Sequence, residues 1–136
     1  MAVGLKTGPI FYIIGTGSFL QAFFSTIAYR LEENKWGSKF PNLMNGLYNG
    51  EIEPNESKWV LDELKIIKQE LSNFAPDKII WDIDDLTKLP PWGGNISETI
   101  TNLSNYFVTS DGKQLLDVFE NALQDSIAIE KSIKIQ

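Results

Sequence analysis

A chain with no cysteine and no histidine must hold its fold together by packing and hydrogen bonding alone. Disulfides and zinc, the usual staples of small domains, are both out of reach. The 136 residues are 43% hydrophobic and 12% aromatic, enough for a real core. A chain of this size buries roughly two-thirds of its unfolded surface as one domain, here residues 1–136. The apolar content also argues against disorder. The same absences narrow the chemistry. Histidine and cysteine supply most near-neutral acid–base work, most nucleophiles and most transition-metal ligands. Carboxylates, lysines, hydroxyls or a borrowed metal would have to carry any catalysis. The expectation moves from an enzyme towards a module that acts by binding, without a cofactor.

A chain without cysteine fits a reducing cytoplasm. Residues 1–8 lack the basic start and apolar run of a signal peptide, and no apolar stretch approaches membrane-spanning length. A soluble cytoplasmic protein is expected, as a monomer or small oligomer.

The net charge of −6 is concentrated. Residues 51–85 hold ten acids against four lysines, so this quarter of the chain carries the whole imbalance. Such a field repels nucleic acid and speeds the approach of basic surfaces. Its ordinary use is a solvated helix face that aids solubility. Nucleic-acid binding is disfavoured, because phosphate contacts need clustered Lys and Arg and the only arginine is Arg30.

Residues 2–6 and 9–14 read as two strands joined at Thr7-Gly8 in a hairpin, with Pro9 at the start of the second. After Gly15-Thr16-Gly17-Ser18, the spacing of Leu20, Phe23, Phe24, Ile27, Ala28 and Leu31 predicts a helix over 19–33. Asn34 to Gly37 ends it. A shorter helix is expected over 41–48, opened by Pro41. The clearest element follows: Val60, Leu64, Ile67, Leu71 and Phe74 step by four, three, four and three, with Asn55 as the expected N-cap and Ala75-Pro76 as the stop. Residues 78–83 alternate like a strand. A loop rich in proline and glycine spans 84–94. Asn95 and Glu98 look like the capping box of a helix over 96–106. Another helix opens at Ser110-Asp111, with Leu115, Phe119 and Ala122 inward. Ile127, Ile129, Ile133 and Ile135 then alternate as a strand with one wet side. This order predicts one α+β domain, a small, mainly antiparallel sheet covered by about five helices.

Four constellations invite a functional reading. Gly15-Thr16-Gly17-Ser18 sits where backbone amides can bind phosphate, but Leu20 replaces the third glycine of a dinucleotide fingerprint and no P-loop lysine follows. A relaxed turn with Thr16 or Ser18 as helix cap is the simpler reading. Asp82, Asp84 and Asp85 at a strand end could hold Mg2+ or Ca2+, although no EF-hand pattern is present and solvation or loop capping is commoner. Paired carboxylates could hydrolyse a substrate, yet nothing among 18 acids selects a pair. Among the four tryptophans, Trp81 reads as core, while Trp36 and Trp92 fall in loops. They are either lids on the core or interface anchors, and Trp92, beside the acidic segment, is the stronger anchor.

The strings Gly15-Thr16-Gly17-Ser18-Phe19, Lys35-Trp36-Gly37-Ser38-Lys39-Phe40-Pro41 and Pro76-Asp77-Lys78-Ile79-Ile80-Trp81-Asp82-Ile83 resemble immunity protein 70, a family of bacterial polymorphic-toxin immunity proteins. Pro90-Pro91-Trp92-Gly93 and Ser104 through Gly112 add to the resemblance, which runs over most of the chain. It implies a non-enzymatic α+β protein in the cytoplasm that binds and neutralises a cognate toxin domain. It brings no catalytic, metal or interface positions to carry over. The expected partner contacts, Asp82, Asp84, Asp85, Trp92 and Trp36, therefore rest on the physical reading. The alternatives are a small carboxylate- or metal-dependent enzyme centred on Asp82 and Asp84, and a general protein-interaction domain.

Overall fold

The computed structural model describes residues 2–136. Two N-terminal strands, β1 (Ala2–Thr7) and β2 (Ile10–Thr16), pair in antiparallel register from Ala2↔Thr16 to Thr7↔Ile10, with a bulge between Val3 and Gly4. The turn sits one residue later than expected, at Gly8-Pro9, because Thr7 still pairs and Gly8 supplies the positive φ of 56°. Gly4 is required at the bulge: a Cβ there would stand 2.2 Å from the Tyr12 carbonyl oxygen, and the Phe11 ring lies over it. The sheet has four strands in the order β2-β1-β4-β3, with β3 (Glu51–Ile52) at the far edge and β4 (Ile133–Ile135) between β1 and β3. All three pairings are antiparallel.

Helix α1 (Gly17–Thr26) widens into a π-helical turn over Ile27–Leu31 and ends where Glu33 and Asn34 adopt positive φ. A second π-helical segment spans Asn42–Leu47, α2 runs over Pro54–Leu71, and α3 over Leu115–Ile129. The α+β class holds, with four helices and a short 3-10 turn at Pro76–Lys78 among the described residues where about five helices were expected. The N-cap of α2 is Glu53 rather than Asn55. Pro54 takes the first helical position, and the Glu53 N–H donates to Glu56 Oε1 at 3.0 Å.

Besides β3, which no reading of the sequence included, and α3, which begins at Leu115 instead of Ser110-Asp111, three segments change type. Residues 78–83 form no strand: Ile80 N–H donates to Thr26 Oγ1 at 3.1 Å and Ile83 N–H to Ser25 Oγ at 3.2 Å. Hydroxyls on α1 thus take the place of a neighbouring strand. Residues 96–106 form successive turns instead of a helix. Asn105 Oδ1 accepts from the Thr101 and Asn102 amides, and Asn102 Oδ1 accepts from the Ser104 amide. Ile127 and Ile129 belong to α3, which ends at left-handed Glu130 (φ 56°), so only Ile133–Ile135 remain as strand.

The core lies between the helices and one face of the sheet. Leu5, Ile14 and Ile133 point into it, and Thr7 Oγ1 donates to the Ala122 carbonyl of α3 at 3.2 Å. Phe23 is its centre, with ring centroids 5.3 Å from both Phe107 and Phe119 and 5.6 Å from Phe24. Val60, Leu64, Ile67 and Leu71 bury the predicted face of α2.

Candidate functional site

The glycine turn between β2 and α1 is built as a helix start. Thr16 is the N-cap, and its Oγ1 accepts from the Phe19 amide at 3.2 Å. Gly17 has open space where a Cβ would stand, and Ser18 is exposed. The turn forms one rim of a depression of about 500 Å3, whose floor includes Phe19, Trp81, Trp92 and Val108. A neighbouring hollow of about 270 Å3 joins Ser18 and Gln21 to Trp81, Asp82 and Lys88. Three of the four sequence candidates therefore meet: the glycine turn, Asp82 and Trp92, with Trp81 between them.

Trp92 is half-buried and fixed. Its ring meets Trp81 edge-on at 5.4 Å, and its Nε1 donates to the Tyr106 hydroxyl at 2.8 Å. Burial pushes the Tyr106 phenol pKa up, partly offset by that hydrogen bond. Trp92 thus lines the depression with its polar end satisfied. Trp36 lies apart, in a second aromatic cluster. It stacks on Phe24 at 6.2 Å, meets Tyr48 edge-on at 4.9 Å, and its Nε1 donates to the Met44 carbonyl at 2.8 Å. The Tyr48 hydroxyl donates to Gln21 Oε1 at 2.9 Å, so the second cluster abuts the Asp82 hollow.

The three aspartates shape their own loop. Asp82 Oδ1 accepts from the Asp84 amide at 2.9 Å, and its other oxygen lies 3.4 Å from Lys88 Nζ. Asp85 Oδ1 accepts from both the Thr87 hydroxyl (2.6 Å) and amide (3.1 Å), which hold its carboxyl below the ordinary pKa. Asp84 is exposed and its carboxylate makes no hydrogen bond or ion pair among the described residues. No group of three or more acidic side chains among the described residues is gathered as a metal site would need.

The acidic segment is not one field. Glu63 accepts from the Asn42 and Leu43 amides at the start of the Asn42–Leu47 segment, and Glu70 pairs with Lys39. Glu56 caps α2, and Glu51 accepts from Ser132 at 2.9 Å. Asp62 and Asp77 are exposed elsewhere in the segment, and Asp82 is the carboxylate that lines the hollow beside the aromatic depression.

Sequence reasoning passed over Leu86 and Leu89, which are 52% and 75% exposed in the same loop. No periodicity marks them. The only signal was two leucines in an otherwise polar, proline-rich stretch. Trp59, one of the four tryptophans but given no role from sequence, is 52% exposed on α2.

No helix among the described residues is long and apolar enough to cross a membrane. No curated protein and no solved structure matches the chain. The family model of immunity protein 70 does match, over residues 5–135. That match spans nearly every element of the fold, including the glycine turn, the aromatic depression and the aspartate loop, and the chain belongs to the immunity protein 70 family.

Proposed function

We propose that this chain binds a cognate polymorphic-toxin domain in the cytoplasm of the bacterium that makes both, and neutralises it by occupying its surface. The observation that carries the reading is the family match over residues 5–135. The site supports it in two ways. Trp92 and Trp81 offer aromatic surface whose polar needs are already met at Trp92, which lowers the cost of desolvation on docking. Asp82, Asp84 and Asp85 place negative charge beside it, which favours a basic surface such as the substrate groove of a nuclease. Trp36 would extend the contact across Tyr48 and Gln21.

The role is binding without turnover. Of Asp82 and Asp84, on which the enzyme reading centres, Asp82 is engaged by the Asp84 amide and by Lys88, which leaves Asp84 without a second free carboxylate to work with and supports docking over catalysis. Co-expression with the toxin domain encoded beside this gene tests the proposal. The expected result is cell survival and co-purification of the two proteins. Killing at normal levels of the folded chain, with no complex recovered, would contradict it. Asp82→Asn, Asp84→Asn and Asp85→Asn together should slow association several-fold and flatten its dependence on salt.

A further inference from the structure

The loop after Asp82 is folded tightly enough to be a tool. The Asp85 amide donates to the Asp82 carbonyl and the Lys88 amide to the Asp85 carbonyl, each at 3.1 Å, so two turns follow one another. The Asp82 and Asp85 carboxylates lock both turns, and Lys88 reaches back to Asp82. Beyond them, Pro90 is buried and Trp92 is pinned to Tyr106. A loop held at both ends in this way would ordinarily fold its leucines inward. Instead Leu86 stands 52% exposed and Leu89 75% exposed, the most exposed large hydrophobic side chain described in the molecule. Neither belongs to the core cluster. The fold spends hydrogen bonds to present two leucines to water.

We infer that Leu86 and Leu89 are the anchors of the partner interface, and that they insert into an apolar cleft on the toxin domain whose rim is basic. The occupant follows from charge: Asp82, Asp84 and Asp85 flank the leucines, Lys88 is the one cation among them, and Asp84 is uncommitted. The preformed turns mean that little chain entropy is lost on docking. The two halves of the site act on different rates. The aspartates speed encounter, while the leucines, desolvated only in the complex, slow escape. This inference rests on the toxin-binding reading and adds the anchors and the chemistry of the surface that receives them.

The test is surface-immobilised toxin domain with wild-type chain, Leu86→Ala/Leu89→Ala, and Asp84→Asn as analytes. Wild-type binding is the control for the function itself, and if it is absent the toxin-binding reading falls with everything built on it. Given wild-type binding, the leucine variant should bind about a hundredfold more weakly, almost wholly through faster dissociation. The aspartate variant should associate more slowly with little change in dissociation. The leucine variant should unfold near the wild-type temperature, since neither leucine belongs to the core cluster, and so should the aspartate variant, since the Asp84 carboxylate holds no part of the turn. A leucine variant that binds like wild type overturns the anchor assignment while leaving toxin binding intact. So does self-association of the wild-type chain that the leucine variant abolishes, because the occupant would then be a second copy.

Discussion

The carboxylate of Glu32, only 3% exposed, accepts the backbone amides of Gly37, Lys39 and Phe40 at 3.0, 2.9 and 2.9 Å. It organises the turn that carries Trp36. Replacing Glu32 with alanine leaves three donors without that acceptor and should cost about 3 kcal/mol of stability, read by urea unfolding. Glu32→Gln keeps one acceptor oxygen and should lose about half as much. Nothing in the sequence marked this residue, because a glutamate at the end of a helix is ordinarily solvated. Thr16 was legible as a cap because a short hydroxyl side chain before a helical apolar pattern has few other uses. Glu53 was not, since glutamate is a rare cap, and Pro54 was the only clue. Tyr12 makes a pH prediction. Its hydroxyl donates to Asp125 at 2.6 Å, and that bond raises its pKa above 10.0. The unfolded chain then loses this proton first. Stability holds below pH 10.0 and falls as the pH climbs towards the folded value. Tyr12→Phe should flatten that alkaline loss, with the remainder due to Tyr106, which shifts the same way.

The α-helices were legible wherever a buried face repeats at helical spacing. The π-helical widening of α1 was not, nor was the last turn of α3, and the misses in 78–83 and 96–106 share a cause: side chains competing for backbone groups. In 78–83 Ile79, Trp81 and Ile83 do pack against the core, but Ile80, expected on the outer side, is the most buried residue of the run, so the alternation does not hold. What no local pattern reveals is that Thr26 and Ser25 reach across from α1 to occupy the amides a strand would offer its neighbour. Thr26→Val keeps the shape but strands the Ile80 amide in a buried place. It should cost about 1–2 kcal/mol and speed amide exchange at Ile80. In 96–106 the capping-box spacing of Asn95 and Glu98 misled. Serines, threonines and asparagines fill the segment, and such side chains favour turns by bonding nearby backbone. The two-residue strand β3 is too short to leave any trace.

Across the molecule, the sheet order β2-β1-β4-β3 brings the C-terminal strand back between the two ends of the N-terminal half. Phe23 joins α1 to α3 through Phe119 and to the loop before α3 through Phe107, so Phe23→Ala should cost about 3–5 kcal/mol, measured by thermal or chemical unfolding. The same assembly gathers the glycine turn, Trp81, Trp92 and the aspartate loop onto one surface, a convergence that separate sequence strings hint at but cannot place. Trp36 shows the limit, standing in its own cluster with Gln21 and Tyr48 between. Everything proposed for this surface depends on neutralisation by stoichiometric docking. Titrating the purified chain into its toxin domain while following toxin activity tests that directly. The account predicts that activity falls in proportion to added chain and is gone at equimolar amounts. Inactivation by a small fraction of an equivalent would mean turnover, and contradict it.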